Sequence, residues 1–544
     1  MGRKSFIKGA AVLAGAGLFA KFLGAVFRIP LTYLIGSEGM GLYQMAYPIY
    51  SFLLVTSSAG LPVAISKMVS EKIALDDYAG AHRVFRISLL LLAGIGTLTS
   101  VLLFSFSGAV ARAVGNPNAV YSILAIAPGL FFVSVISSFR GYFQGMQYMN
   151  PTAISQVIEQ MGKLILGLRL ASYWVKRGVE FGAAGAMLGV TLSEVMALAL
   201  LLGIYRRKKT EIRDNIKKNR FGRYRESTRS IMTRMMNIAV PVTIGASFMP
   251  LVALADEIIV VNRLVDVINY DTGLKYTVEE ATRLYGLLTA YASPLINFPT
   301  IITIALAMSV VPSISESYVL KDWKAISYKA ETAMRLTLLI GLPAAVGMSA
   351  MARPVIQLLY ASLDAGEIAK AGNILSVLSI GIVFLTGIQT LTGILQGINR
   401  IVIPVRNLLI GALAKIGVSY ILIGIPGLNV LGAAVGTVVC YLTASLLDFA
   451  AMVKHIGISQ KFAVQASKFA FASGFMGAVV IIMFKPLMTA VGGIPATILA
   501  IFIGIIIYAL ALIVMGAVDA KDLRILFRNS KLADRIASIR LRNG

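Results

Sequence analysis

Cysteine occurs once in this 544-residue sequence, at Cys440, and histidine twice, at His82 and His455. A single thiol excludes a disulfide, and three such residues scattered along the chain exclude a metal centre built on imidazole and thiolate. Cys440 lies inside an apolar run, where a small buried hydrophobe is its simplest role. Charge is scarce too, at 14% of residues, and the 25 acidic groups face 50 Lys and Arg. No Gly-x-x-x-x-Gly-Lys-Ser/Thr phosphate loop occurs, since the one Gly-Lys pair, Gly162-Lys163, runs on into Leu164. No sizeable loop gathers the carboxylates that a metal-dependent glycosyl transfer needs. The chain is therefore expected to be neither an ATP-driven pump nor an enzyme, and to carry no cofactor.

What fills the sequence is hydrophobic: 57% of residues, with a mean hydropathy of +0.81. Continuous apolar windows of about 20 residues or more recur from end to end, enough for a helix to cross the hydrocarbon core. They lack the two-residue alternation of barrel strands, so the expected class is an all-α integral membrane protein. Spans are read near 7–29, 39–66, 84–107, 117–143, 151–175, 180–204, 235–262, 284–315, 327–350, 371–397, 402–425, 429–452, 464–487 and 491–516, about fourteen in all. Arg3, Lys4 and Lys8 precede an apolar stretch that resumes after Lys21, which reads as a first membrane helix rather than a signal peptide.

The net charge of +25 sits mostly between apolar runs, which makes it a topology signal rather than a nucleic-acid footprint. The segment 205–234 holds twelve Lys or Arg against Glu211, Asp214 and Glu226, and is expected to face the cytoplasm. Counting outward puts the N-terminus and the basic tail 517–544 on the same side. It also puts the acidic loop from Arg263 to Arg283 outside; Lys176 and Arg177 run against the scheme.

The two halves echo each other. Phe143-Gln144-Gly145-Met146, Pro151, Lys163 and Gly182-Ala183-Ala184 recur as Leu395-Gln396-Gly397-Ile398, Pro404, Lys415 and Gly432-Ala433-Ala434, at an offset near 250. The expected organisation is an N-terminal six-helix lobe (1–204), the basic loop (205–234), a C-terminal six-helix lobe in parallel repeat (235–452), two extra membrane helices (453–516) and the tail. Parallel repeats are one architecture of secondary transporters, with the substrate site between the halves.

A charge within a span is costly, so it tends to face a cavity or a partner. The candidates are Lys21, Arg28, Glu159, Lys163, Glu194, Asp256, Glu257 and Lys415, with Arg140 and Lys67 at inner helix ends. Arg28, Lys67 and Arg140 also suit simple snorkelling. Glu159 and Lys163 lie four apart on one helical face. With Arg140, Gln144 and Gln156 they would line a wet cavity suited to an anion such as phosphate. Lys21 and Asp256 fall at equivalent repeat positions, 235 apart like Arg28 and Arg263. Their opposite charges suggest a gating pair. Prolines within spans, Pro48, Pro62, Pro128, Pro241, Pro250, Pro294, Pro299, Pro312 and Pro343, mark kinks.

Several words resemble the stage V sporulation protein B group of the MurJ-like lipid II flippases, within the superfamily of polysaccharide flippases and multidrug and toxin extruders. They are Lys21-Phe-Leu-Gly24 with Arg28, Gly39-Met-Gly-Leu-Tyr43, Gly60-Leu-Pro-Val-Ala-Ile-Ser-Lys67, Arg140-Gly-Tyr-Phe-Gln-Gly145, Asn150-Pro151, Ser155-Gln-Val-Ile-Glu159-Gln160 and Val311-Pro-Ser-Ile-Ser-Glu316. The resemblance implies a cationic cavity for a polyprenyl-diphosphate saccharide, with the lipid tail beside two C-terminal helices. It also implies alternating access driven by membrane potential or a monovalent cation, in the bacterial cytoplasmic membrane. Substrate binding is then expected from Lys21, Arg28, Lys67, Arg140, Gln144, Glu159 and Lys163, and gating or ion coupling from Asp256, Arg263 and Glu316. The partners expected are the lipid-linked saccharide and membrane lipids, with no nucleic acid, and the chain is expected to act as a monomer. The cavity arginines implied for helices 2 and 8 are not evident in Ser51-Phe-Leu-Leu54 and Ser293-Pro-Leu-Ile-Asn297. Export of another lipid-linked polysaccharide, cation-coupled drug extrusion and a scaffold role in wall synthesis remain as alternatives. If Lys21 and Asp256 gate as a pair, exchanging their charges is expected to restore transport lost in either single variant; no recovery in the double variant counts against the pair.

Overall fold

Within hydrocarbon every backbone N–H and C=O has to be satisfied inside its own segment, which leaves the helix as the natural element for such a sequence. The computed structural model describes residues 3–218, 226–269 and 272–517. Among these, the only extended pairing is a single bridge between Ile268 and Lys275.

The helices of the first part are α1 (Arg3–Ser58), α2 (Gly60–Ala74), α3 (Tyr78–Ser105), α4 (Ser107–Ala113), α5 (Ala119–Ile126), α6 (Gly129–Gly145), α7 (Asn150–Gly162), α8 (Leu168–Trp174), α9 (Val179–Lys218), α10 (Thr228–Val265) and α11 (Val278–Gly286). A π-helical turn, Lys163–Gly167, joins α7 to α8, and a second, Leu287–Ala292, follows α11. Then come α12 (Ser293–Ile296), α13 (Thr300–Val319), α14 (Trp323–Ala350), α15 (Ala352–Leu359), α16 (Ala365–Gly397), α17 (Val402–Ile423), α18 (Val430–Ile456), α19 (Gln460–Val491) and α20 (Gly493–Val514).

Twelve helical runs among the described residues are long and apolar enough to cross a membrane. The first, Gly15–Ala74, is 60 residues long, ample for two crossings of about 20 residues each. The segment α7–α8 is interrupted by its π turn and so falls outside the twelve. Counting the long run twice and α7–α8 once makes the fold compatible with fourteen crossings.

Two boundaries differ from the sequence reading. No loop separates the first two spans: helix runs through from Arg3 to Ser58, broken only at Gly36, whose φ of 64° and ψ of −172° turn the chain within one residue. That backbone conformation favours a residue without Cβ. The basic segment 205–234 is largely helical, because α9 continues to Lys218 and α10 begins at Thr228, where the Ser227 side chain caps the Ser230 N–H at 3.1 Å. Polar side chains outside the membrane support that extension. Lys208 pairs with Glu211 at 3.2 Å and lies 4.3 Å from the centre of the Tyr148 ring. Of the tail 517–544, all but Ala517 lies outside the described residues.

Packing divides the chain into two compact units, Met1–Ala290 and Tyr291–Gly544, with the division inside the π turn Leu287–Ala292. In the first unit, α2, α3, α6 and the start of α10 close around Ile65, Met68, Phe85, Phe139, Phe143 and Met235. Phe85 and Tyr142 stack there with ring centres 4.4 Å apart. In the second, α13, α14 and α16 meet through Ile314, Ile326, Ala330, Leu391 and Leu395.

One helix crossing occurs in both units. Gly141 and Gly145 of α6 press on Pro62, Ile65 and Val69 of α2, where a Cβ on Gly145 would lie 2.7 Å from Val69 Cβ. Gly393 and Gly397 of α16 press likewise on Ala307 and Ile314 of α13, with 2.8 Å at Ile314 Cβ. Both pairs are offset by 252 residues (141 to 393, 145 to 397). Small residues at the contact let helices approach where lipid offers no hydrophobic drive to associate. Gly145→Ala and Gly397→Ala are accordingly expected to destabilise the detergent-solubilised protein by about 1–3 kcal/mol. Gly94→Ala, in open space on α3, is expected to be neutral or stabilising by about 0.4–1 kcal/mol. Thermal unfolding of the three variants checks the contrast, and equal shifts would remove the close-packing argument.

Candidate functional site

Five elements of the first unit bring polar groups together. From α6, Arg140 donates through Nε to Ser155 Oγ at 3.0 Å and through Nη2 to Glu159 Oε2 at 2.9 Å, both acceptors on α7. The two charged side chains are only 16% and 25% exposed. Such a pair is shielded enough that removing one partner leaves a poorly solvated charge behind.

Lys163 opens the π turn four residues after Glu159. Its ammonium lies 5.0 Å from the centre of the Phe27 ring and 5.3 Å from that of Tyr47, both on α1. The expected Glu159–Lys163 ion pair within one helix is thus not formed. Arg140 takes the carboxylate from across the helix interface, and Lys163 is held over aromatic faces instead. An ammonium on ring quadrupoles keeps its full charge available to an anion, whereas one locked to a carboxylate does not. Single π turns of this kind are frequent at functional sites.

The α1 contribution is a stripe of tyrosines at helical spacing. Tyr43 and Tyr47 stack with centres 6.3 Å apart, and Tyr50 follows 6.3 Å from Tyr47. The Tyr50 hydroxyl donates to Glu194 Oε1 of α9, a carboxyl that is 2% exposed. Arg28 lies within electrostatic reach of both Tyr43 and Lys163. Three cations, Arg28, Arg140 and Lys163, therefore share this region with the carboxyls of Glu159 and Glu194.

The other residues singled out from sequence lie elsewhere. The Lys21 side chain lies outside the described residues. Lys67 is exposed on α2, and Gln144 is half-buried on α6. Asp256 is half-buried on α10 and Arg263 lies in its last turn, both within the first compact unit. Glu316 is exposed on α13 of the second unit. Lys415, the repeat partner of Lys163, is 8% exposed on α17.

Sequence reasoning did not pick out Phe27, Tyr47 or Tyr50, although Tyr43, Tyr47 and Tyr50 at spacings of four and three formed a legible stripe. It also passed over Asp448, the lone acid in its span. Asp448 is fully buried in the second unit and accepts from Asn407 Nδ2 at 2.8 Å.

A polytopic helical bundle with a cationic cluster set among its membrane segments defines the transporter class, and comparison with known proteins agrees. The solved structure of lipid II flippase MurJ in an inward closed conformation superposes with a TM-score of 0.67 at 16% identity, over 92% of this chain and 98% of that one. An inward-facing multidrug resistance MATE family transporter of the MOP superfamily superposes with a TM-score of 0.62, also at 16% identity, over 79% and 98%. At that identity the likeness establishes the fold. Stage V sporulation protein B of Bacillus subtilis (strain 168) is 32% identical over 471 residues, 86% of this chain and 88% of the relative. Lipid II flippase MurJ of the same organism is 25% identical over 481 residues, 84% of each chain. The profile of the family described as Polysaccharide biosynthesis protein matches residues 6–318, and that of MatE matches 289–421. The chain belongs to the polysaccharide biosynthesis protein family, in the branch of stage V sporulation protein B and MurJ. It is a multi-pass membrane protein of the flippase and transporter class, not an enzyme.

Arg140 and Glu159 are expected to couple energetically. In a double-mutant cycle with Arg140→Gln and Glu159→Gln, read by denaturant unfolding, the coupling should be about 1–3 kcal/mol. Additive single effects would show that the pair does not hold α6 to α7.

Proposed function

We propose that this protein flips a polyprenyl-diphosphate saccharide of the lipid II type outward across the bacterial cytoplasmic membrane by alternating access. The observation that carries the reading is the placement of Arg28, Arg140 and Lys163 among membrane helices, with Lys163 seated on Phe27 and Tyr47 rather than neutralised by a carboxylate. Guanidinium and ammonium groups are the natural partners of phosphate oxygens, and a diphosphate needs more than one of them. Glu159 aims the Arg140 guanidinium.

The two C-terminal helices suit the lipid tail. Phe471 and Phe475 of α19 and Ile507, Leu510 and Val514 of α20 line a wholly apolar cavity of 380 Å³. Such a groove accepts a prenyl chain without desolvating any polar group. The name of one relative, a lipid II flippase, supports the same substrate class. Membrane potential or a monovalent cation supplies the driving force in this reading, with Asp256, Arg263 and Glu316 in gating or coupling, both termini in the cytoplasm and the monomer as the working unit.

The test is reconstitution in vesicles with labelled lipid II and, separately, with other polyprenyl-diphosphate sugars under an imposed potential. Protein-dependent movement of at least one of them is expected. Lys163→Gln and Arg140→Gln are each expected to slow it at least about tenfold, the equivalent of ~1.4 kcal/mol, at unchanged membrane levels. Movement of none of these lipids would sink the reading, and full activity in both variants would displace the site.

A further inference from the structure

Glu194 sits at the edge of the cationic cluster, and neither helix packing nor anion binding explains it. Its side chain is 2% exposed, Oε1 accepts the Tyr50 hydroxyl, and Oε2 has no partner among the described residues. That orphan oxygen lies against Gly129, where α5 gives way to α6 after Pro128; a Cβ on Gly129 would stand 2.6 Å from it. A carboxylate buried this deeply with one hydrogen bond is strongly disfavoured, so the group needs a cation or a proton.

The oxygens nearby decide which. Thr191 Oγ1 donates to the Ala125 carbonyl at 2.8 Å and the Tyr50 hydroxyl to Oε1, and the described residues hold no group of three His, Cys, Asp or Glu that could bind a metal ion. A proton needs only Oε2. Packing does not require an acid here either: at the repeat offset of 250 set by Gly182 and Gly432, position 194 corresponds to Ala444, fully buried on α18.

We propose that Glu194 is a proton-binding site of this transporter, and that its proton is taken up together with an anionic ligand at Arg140 and Lys163. The charged and titratable groups facing it are Tyr50 from α1, Arg140 from α6, Glu159 from α7 and Lys163 from the π turn. With Glu194 neutral, Glu159 alone offsets Arg28, Arg140 and Lys163, and two positive charges remain for a phosphate. With Glu194 ionised, only one remains and the anion is held less tightly. The proton adds to Oε2, no other bond is made or broken, and by linkage the anion favours the proton as much as the proton favours the anion.

The proton site stands on its own geometry, and its coupling to an anion rests on the function proposed above, so the test has two arms. In the first, infrared spectra of the full chain in lipid nanodiscs are recorded across neutral pH. A protonated-carboxyl carbonyl component is expected in the wild type that is lost in Glu194→Gln and shifted in Tyr50→Phe, which removes its hydrogen bond. A band unchanged in both variants, or no band at all, overturns the site, and Tyr50→Phe decides if Glu194→Gln does not fold. In the second, calorimetric binding of undecaprenyl diphosphate is compared in buffers of different ionisation enthalpy, at an alkaline pH where that infrared component of the ligand-free protein has disappeared. Uptake approaching about one proton per ligand is expected in the wild type and none in Glu194→Gln. Equal heats in all buffers overturn the coupling. Failure of the diphosphate to bind removes the anion reading and the coupling with it, and leaves the infrared arm to decide the proton site.

Discussion

A charge inside a lipid bilayer has to be met by something other than water, and the first unit is arranged around that constraint. Arg140 is met by Ser155 and Glu159, Lys163 by two aromatic rings, and Glu194 by one hydroxyl. Each solution joins two separate elements: α6 to the next helix α7, and the π turn and α9 each to the distant α1. The polar groups therefore hold the bundle together as well as line its interior. The solutions are unequal in kind. A salt bridge fixes a charge in place, whereas an aromatic seat supports a cation without neutralising it.

The same constraint explains where the backbone departs from regular helix. The π turn at Lys163–Gly167 stands where the cationic side chain is presented, and the interruption after Pro128 lies beside Glu194. In hydrocarbon a freed carbonyl needs a donor, and Thr191 supplies one to Ala125 at 2.8 Å. Irregular backbone in a membrane segment is tolerated where it is buried against protein, as here.

Close helix crossings depend on a different property of the sequence, the placement of glycine. Gly141 and Gly145 in one half, and Gly393 and Gly397 in the other, let α6 meet α2 and α16 meet α13 at near backbone contact. The repeat that was legible as a string of words is thus also a repeat of contacts. The two halves nevertheless differ chemically. Where the first carries Arg140, the second has Thr392 at the same offset of 252, so a shared scaffold holds unlike interiors.

The sequence by itself determined the class of protein and much of its layout. Apolar runs long enough to cross the bilayer mark the membrane helices, and a repeat offset near 250 marks the duplication. Those properties are local, so composition and spacing carry them. Only the tertiary structure decided which charge meets which partner. Spacing alone pairs Glu159 with Lys163, yet Arg140, nineteen residues away from Glu159, takes the carboxylate because α6 lies against α7. Tyr50 and Glu194 are separated by 144 residues, and no local pattern joins them. In a membrane the choice of partner is set by which helices touch, and that is a property of the packed bundle rather than of any one segment.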